Sequence, residues 1–431
     1  MTKQILCGTT LQFHGAPLVD EWKDCVRINT AGGVLIERGR IGDVADADRL
    51  IAAHPEATVI QYGDDLICAG FVDAHMHYPQ TAMIASWGKR LIDWLNTYTF
   101  PEESRFGDPA YAAEIAGRTC DLALAHGTTT LTSYCTIHSA SVDAFFDAAA
   151  ARGMAVVAGK TCMDRNAPDN LRDTAQSAYD DSRALLEKWH GVGRATYAIT
   201  PRFSPTSTPD QLAALGALWA ENPHCLMQTH LSEQHDEIAW VRDLFPSARD
   251  YLDTYEVHGL LGSRGIYGHA IHLEPREIDR LAEVGAGVVH CPTSNTFIGS
   301  GLFDTLGLAA RGIRTGLATD TGGGSSFSML RTMAAAYEIG QLRGVALHPA
   351  QLMWMATEGS AQTLHMSGEI GHLGAGAAAD ITVLNLASTP AIAQRHARAT
   401  DIWDALFPTI MMGDDRAIRD VWVAGTRQQG A

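Results

Sequence analysis

Eight short apolar runs, each followed by a stretch of helical spacing, recur through the middle of this chain, and no other feature restricts its folding so tightly. They occupy residues 69–77, 127–135, 154–163, 195–202, 225–231, 265–271, 285–292 and 313–320. Runs that are apolar on nearly every residue predict strands covered on both faces, because a half-exposed strand would alternate. Between them lie segments such as PAYAAEIAGRTCDLALAHG, SVDAFFDAAAARG, TAQSAYDDSRALLEKWHG, TPDQLAALGALWAEN, PREIDRLAEVG and SMLRTMAAAYEIGQLRG. Strands alternating with helices pair in parallel through right-handed crossovers, and eight such units close a barrel. The expected class is therefore α/β, a (β/α)8 TIM-like barrel over residues 69–376. The flanks read differently, with short strands and turn signals in QILCGTTLQF, CVRINTAGGVLIERGR, AADITVLNL and AIRDVWVAGT. They are expected to join as one small β-sandwich domain formed from 1–68 plus 377–431.

Composition narrows the function. A chain of 431 residues can bury one large core and a satellite. Asp and Glu number 49 against 32 Lys and Arg, a formal charge of −17. Nucleic-acid affinity rests on Lys and Arg neutralising phosphates, so nucleic-acid and anionic-membrane binders are excluded as function classes. The eight cysteines stand singly, without a CxxC pair, and most lie in apolar runs. That pattern suits reduced thiols in a cytoplasmic protein. No run approaches the roughly 18 apolar residues of a membrane span, and the N-terminus lacks the basic and apolar regions of a signal peptide.

In such barrels chemistry sits at the C-terminal strand ends. The first strand closes on Asp73-Ala74-His75-Met76-His77, and in an extended chain His75 and His77 share a face. Later strand ends carry His230, His269 and Asp320. Imidazole nitrogen and carboxylate oxygen are ordinary ligands for Zn²⁺, which keeps a position open for water in catalytic sites. A lone strand-end histidine is more often structural. An HxH pair joined by His, His and Asp at three further ends is far more specific.

FVDAHMH with those later residues resembles the amidohydrolase superfamily, and within it the guanine deaminases. The resemblance runs through HMHYPQ (75–80), LNTYTFPEESRF (95–106), HGTTT (126–130), GKTCMDRN (159–166), TPRFSPT (200–206), QTHLSEQHDEI (228–238), HCPTSNTFIGSGLFD (290–304) and ATDTGGGSSFSML (318–330). It implies one Zn²⁺ per subunit held by His75, His77, His230, His269 and Asp320. Binuclear members typically carry a carbamylated lysine at the end of strand four, where this chain has Thr200-Pro201-Arg202-Phe203. Lys160, near the end of strand three, leaves a second metal disfavoured.

The resemblance also implies the reaction: water adds at C2 of guanine, ammonia leaves and xanthine forms, as in purine catabolism or salvage. Zinc-bound hydroxide is the expected attacking species, because the metal lowers the pKa of its water to about 7. Asp320 is the candidate base for the water proton. Glu233, three residues beyond His230, is expected to protonate ring N3 and then the leaving amine; as an isolated glutamate it would read as a solvated residue in a first helical turn. His269 is a candidate to polarise the attacked centre as well as to bind metal. Gln80, whose amide both donates and accepts, Arg202, with a planar fork for a carbonyl, and Phe203, with a face for stacking, are the expected base readers. Outside the family pattern they would read as a barrel-mouth hydrogen bond, a surface ion pair and core packing.

The aromatic-rich stretch 86–107 reads equally as part of a lid or pocket wall and as a contact with a neighbouring subunit, the family's usual assembly being a homodimer. HLE at 272–274 has the HxE form of the cytidine-type deaminases but lacks a PCxxC partner. The glycines of TDTGGGSS are followed by no GKS or GKT and suit a sharp turn better than a phosphate loop. Two rival functions remain: a related enzyme acting on a pterin or s-triazine, and a catalytically dead scaffold. The scaffold predicts missing ligands, and all five are present.

Overall fold

The computed structural model describes residues 3–88 and 90–428. The barrel strands are β5 (Phe71–His77), β6 (Thr128–Tyr134), β7 (Ala155–Gly159) with the short β8 (Thr161–Cys162), β9 (Ala195–Pro201), β10 (Leu226–Leu231), β11 (Gly265–His269), β12 (Gly287–His290) and β13 (Arg314–Leu317). They follow four N-terminal strands, β1 (Gln4–Phe13), β2 (Val26–Glu37), β3 (Arg40–Asp46) and β4 (Thr58–Ala69). The barrel sheet runs β13-β12-β11-β10-β9-β7-β6-β5, with β8 beside β9. This is the expected TIM-like barrel, nearly closed. Between its two edge strands the backbone joins through Asp320 N to His75 O (2.9 Å) and His77 N to Thr321 O (2.6 Å). Those two bonds bring the HxH pair beside Asp320.

The helices fall where the spacing predicts, for instance at Pro109–Ala125, Ser139–Ala151, Ala175–Trp189 and Pro209–Glu221. The last starts as its sequence dictates: Thr208 accepts a hydrogen bond from Gln211 N, and proline occupies the first turn. Several strands end earlier than expected. β13 stops at Leu317, so Asp320, where the chain turns left-handed (φ 48°), lies three residues past it. β11 stops at His269 because His269 (φ 67°) and Ala270 (φ 50°) leave extended geometry. The aromatic stretch is helical rather than a loop, running through Leu91–Trp94, a π turn at Leu95–Thr99, Phe100–Glu103 and Ser104–Gly107.

The expected terminal β-domain takes the form of one seven-stranded mixed sheet. With β14 (Ile381–Leu384), β15 (Ile418–Val423) and β16 (Thr426–Arg427), its order is β16-β15-β14-β4-β1-β2-β3. Alternate residues reach opposite faces. Leu6, Val34 and Ile36 pack with Ile381, Val383 and Trp422 on one side, while Ile5, Cys7 and Leu35 meet Leu50 of the helix Ala47–Ala53 on the other. The chain forms two compact units, one of Met1–Asp73, Asp121–Thr130 and Phe327–Ala431, the other of Ala74–Cys120 and Leu131–Ser326. Every candidate site residue lies in the second. Among the described residues no helix is long and apolar enough to cross a membrane.

Candidate active site

His75 and His77, on one face of β5, His230 on β10 and His269 at the end of β11 converge on Asp320. The Nε2 atoms of His75, His77 and His269 lie 3.4, 3.7 and 3.8 Å from its carboxylate oxygens, and His77 Nε2 is 3.1 Å from His230 Nε2. All five are 9% exposed or less. Burial holds the imidazoles of His77 and His230 well below the ordinary histidine range and that of His269 at about 4, so these are neutral at neutral pH, the form that ligates metals. Burial opposes ionisation of Asp320, but the hydrogen bond from His75 and the charges of His75 and His269 outweigh it and hold the carboxyl at about 2.

An ionised carboxylate beside the neutral imidazoles of His77, His230 and His269 places a buried negative charge in the cluster, which a divalent cation would balance. Two sets of donor atoms, each within 4.8 Å of one another, have metal-binding spacing: His75, His77 and His230, and His75, His269, Cys291 and Asp320. Cys291 is an addition that sequence reading missed, since its thiol read as a small apolar core group. Lys160 is elsewhere, buried and paired with Asp173, with Cys162 Sγ 4.0 Å away.

Backbone and neighbours orient these rings. His230 Nδ1 lies 2.7 Å from the Arg202 carbonyl, so a proton on Nδ1 leaves the Nε2 lone pair facing the cluster. The side-chain NH2 group of Asn295 sits 3.0 Å from His269 Nδ1 and fixes the orientation of that ring. Ser232, His269 and Asp320 all adopt positive φ, at a cost of about 1–3 kcal/mol each. Such strain persists only where surrounding structure holds it.

Beside the cluster opens a cavity of about 430 Å³ lined by Gln80, Trp94, Arg202, Phe203, Glu233 and Ile298, with His77, His230, His269 and Asp320 at its base. Leu91, Trp94 and Leu95 of the aromatic stretch form part of its wall. Glu233 Oε2 is 3.6 Å from His269 Nε2, and Ser300 Oγ donates to Glu233 Oε1 at 2.8 Å. Burial, then the charges of Glu237 and Asp320, push the Glu233 carboxyl well above its usual range despite the Ser300 bond. It can therefore carry a proton near neutral pH.

All nine residues expected at the site are thus brought together. Sequence reading missed Glu103, Asn295 and Ser300. TYTFPEESRF and HCPTSNTFIGS contain them, but nothing in the spacing marks which polar residue turns inward.

The amidohydrolase family model matches residues 66–427. The chain is 40% identical to guanine deaminase of Escherichia coli K12 over 407 residues, 94% of this chain and 93% of that one. A solved structure of E. coli guanine deaminase superposes with a TM-score of 0.96 at 39% identity, covering 99% of both chains. That of guanine deaminase from C. acetobutylicum, with guanine bound in its active site, has a TM-score of 0.89 at 27% identity and covers 99% of this chain and 100% of that one.

Proposed function

The chain belongs to the amidohydrolase family, and from that premise we propose that it is a zinc-dependent enzyme that deaminates guanine, converting guanine and water to xanthine and ammonia in purine catabolism or salvage. The observation that carries the proposal is the cavity in which Gln80, Arg202, Phe203 and Glu233 adjoin His77, His230, His269 and Asp320, with His75 3.4 Å from Asp320 behind them. His75, His77, His230, His269 and Asp320 would hold one Zn²⁺ per subunit. When bound, that ion supplies Lewis acidity that makes water nucleophilic near neutral pH.

The chain's own residues do the rest. Asp320, ionised and at the base of the cavity, accepts the proton of the attacking water. Glu233, held protonated by burial, delivers a proton to ring N3 as C2 becomes tetrahedral; as the carboxylate it then takes the proton of the new C2 hydroxyl and passes it to the departing amine, and the water proton held by Asp320 restores the Glu233 carboxyl. His269, 3.6 Å from Glu233, faces the same spot and polarises the attacked centre. Phe203 offers its face to the purine, and Gln80 and Arg202 read its polar edge. The chemistry belongs to residues 69–376, with 1–68 and 377–431 as a supporting β-domain. Its working form is a cytoplasmic homodimer, a setting that eight buried cysteines suit.

Ammonia release from guanine, adenine, cytosine, a pterin and an s-triazine by zinc-loaded protein tests this. Turnover of guanine above the others is expected. Turnover of only a pterin or triazine, or of nothing, overturns it.

A further inference from the structure

Gln80 and Arg202, the two polar readers of the cavity, are joined by a residue that faces neither metal nor solvent. Glu103, 1% exposed, accepts from Gln80 Nε2 through Oε1 at 2.9 Å and from Arg202 Nη1 through Oε2 at 2.6 Å. Gln80 and Arg202 are themselves 2% and 3% exposed. Phe100, one turn earlier on the same short helix, lies 5.6 Å beneath the Arg202 guanidinium. A single element thus clamps the arginine by charge at one point and by ring face at another.

An amide can offer a ligand either its oxygen or its nitrogen, and the two ends differ little in shape. An ionised carboxylate only accepts. By taking the NH2 group of Gln80, Glu103 leaves the Gln80 oxygen, which has no protein partner among the described residues, as the end available to the cavity. By taking Nη1 of Arg202, it leaves Nη2 and Nε as the donors. The wall then presents an acceptor next to a donor fork. That pattern complements a ring N–H beside a ring carbonyl, the lactam edge of an oxopurine. An aminopurine such as adenine presents the reverse, an acceptor nitrogen beside an amine.

We infer that Glu103 is a positioning residue that sets the hydrogen-bond polarity of the cavity wall, and so selects oxopurines over aminopurines. This rests on the deaminase reading for its choice of substrate, but the polarity can be measured without turnover. Hypoxanthine, which has the lactam edge and no C2 amine, and adenine serve as equilibrium binding probes for the zinc-loaded protein. The intact protein is expected to bind hypoxanthine at least tenfold more tightly than adenine. In Glu103→Gln the new amide can donate as well as accept, so Gln80 is free to turn over. That ratio is expected to fall at least tenfold, and KM for guanine to rise by a larger factor than kcat falls, with zinc content unchanged.

If Glu103→Gln does not fold, Glu103→Asp, which keeps the charge but is too short to reach both partners, is expected to show the same loss. Equal binding of the two probes by intact protein overturns the inference. So does a folded, zinc-replete variant with an unchanged ratio, and so does failure of both variants to fold, which would make Glu103 a stability residue. Absence of guanine turnover alongside a strong hypoxanthine preference would instead overturn only the deaminase reading.

Discussion

At the scale of the residue, Glu233 shows how the surroundings of one side chain make it a candidate for a role its type does not guarantee. Its backbone N–H and that of Gln234 both donate to Glu237 Oε2, and Tyr251 Oη donates to the other oxygen of Glu237. The segment carrying Glu233 is thus fixed at its root, and Ser300 fixes its tip. Glu233→Gln keeps the shape and loses the exchangeable carboxyl proton. It should lower kcat about 10²- to 10⁴-fold, the usual range for a general acid or base, while zinc content by atomic absorption stays at one per subunit. An unchanged kcat would remove Glu233 from the mechanism. HLSE spacing made Glu233 legible, because it sits three positions from the candidate ligand His230 at the same strand end. Ser300 was not, since it is 67 positions away and reaches Glu233 only through the fold.

At the scale of the element, strand geometry sets where a ligand points. β11 lies beside β10, with His230 opposite Gly268 and Leu231 opposite His269. A Cβ on Gly268 would come within 2.7 Å of His75 Cε1 and 3.0 Å of His75 Nδ1, so a glycine there leaves room for a ring on another strand. Gly268→Ala should therefore displace His75 and lower zinc occupancy and activity together, at least tenfold in zinc affinity on the scale of a lost orienting contact. The far-UV circular dichroism should be unchanged. Full zinc occupancy in that variant would show that the ring yields without cost. The strand ends themselves were only partly legible. The apolar runs located all eight, but the left-handed turns at His269 and Asp320 have no marker in sequence, since neither residue is glycine. Likewise the π turn at Leu95–Thr99 hid a helix inside what reads as an aromatic loop.

At the scale of the whole molecule, the cysteines report on how completely the two compact units close. All eight are buried, and none forms a disulfide among the described residues. Burial pushes the thiols of Cys68, Cys162 and Cys225 up to about 12. A raised thiol pKa means that thiolate, the reactive form, is scarce until strongly alkaline pH. At about pH 8, near the ordinary thiol range, the native protein should react with a disulfide reagent at none of these positions. The guanidinium-unfolded chain should react at all eight. Rapid labelling of the native state would show that the units open readily.

Amino-acid order alone settled the periodic features of this molecule: eight buried strands, their helices, a terminal sheet drawn from both ends, and five ligand-type residues at strand ends. These follow from repeats of 2 and 3.6 residues and from side-chain chemistry, which are local properties of the chain. Tertiary structure alone decided that Glu103 meets both Gln80 and Arg202, that Asn295 backs His269, and that Cys291 comes within 4.8 Å of the candidate ligand atoms of His75, His269 and Asp320. A hydrogen bond or a metal contact depends on placing two atoms within a few tenths of an ångström. Residues tens to hundreds of positions apart acquire that placement only when the barrel closes.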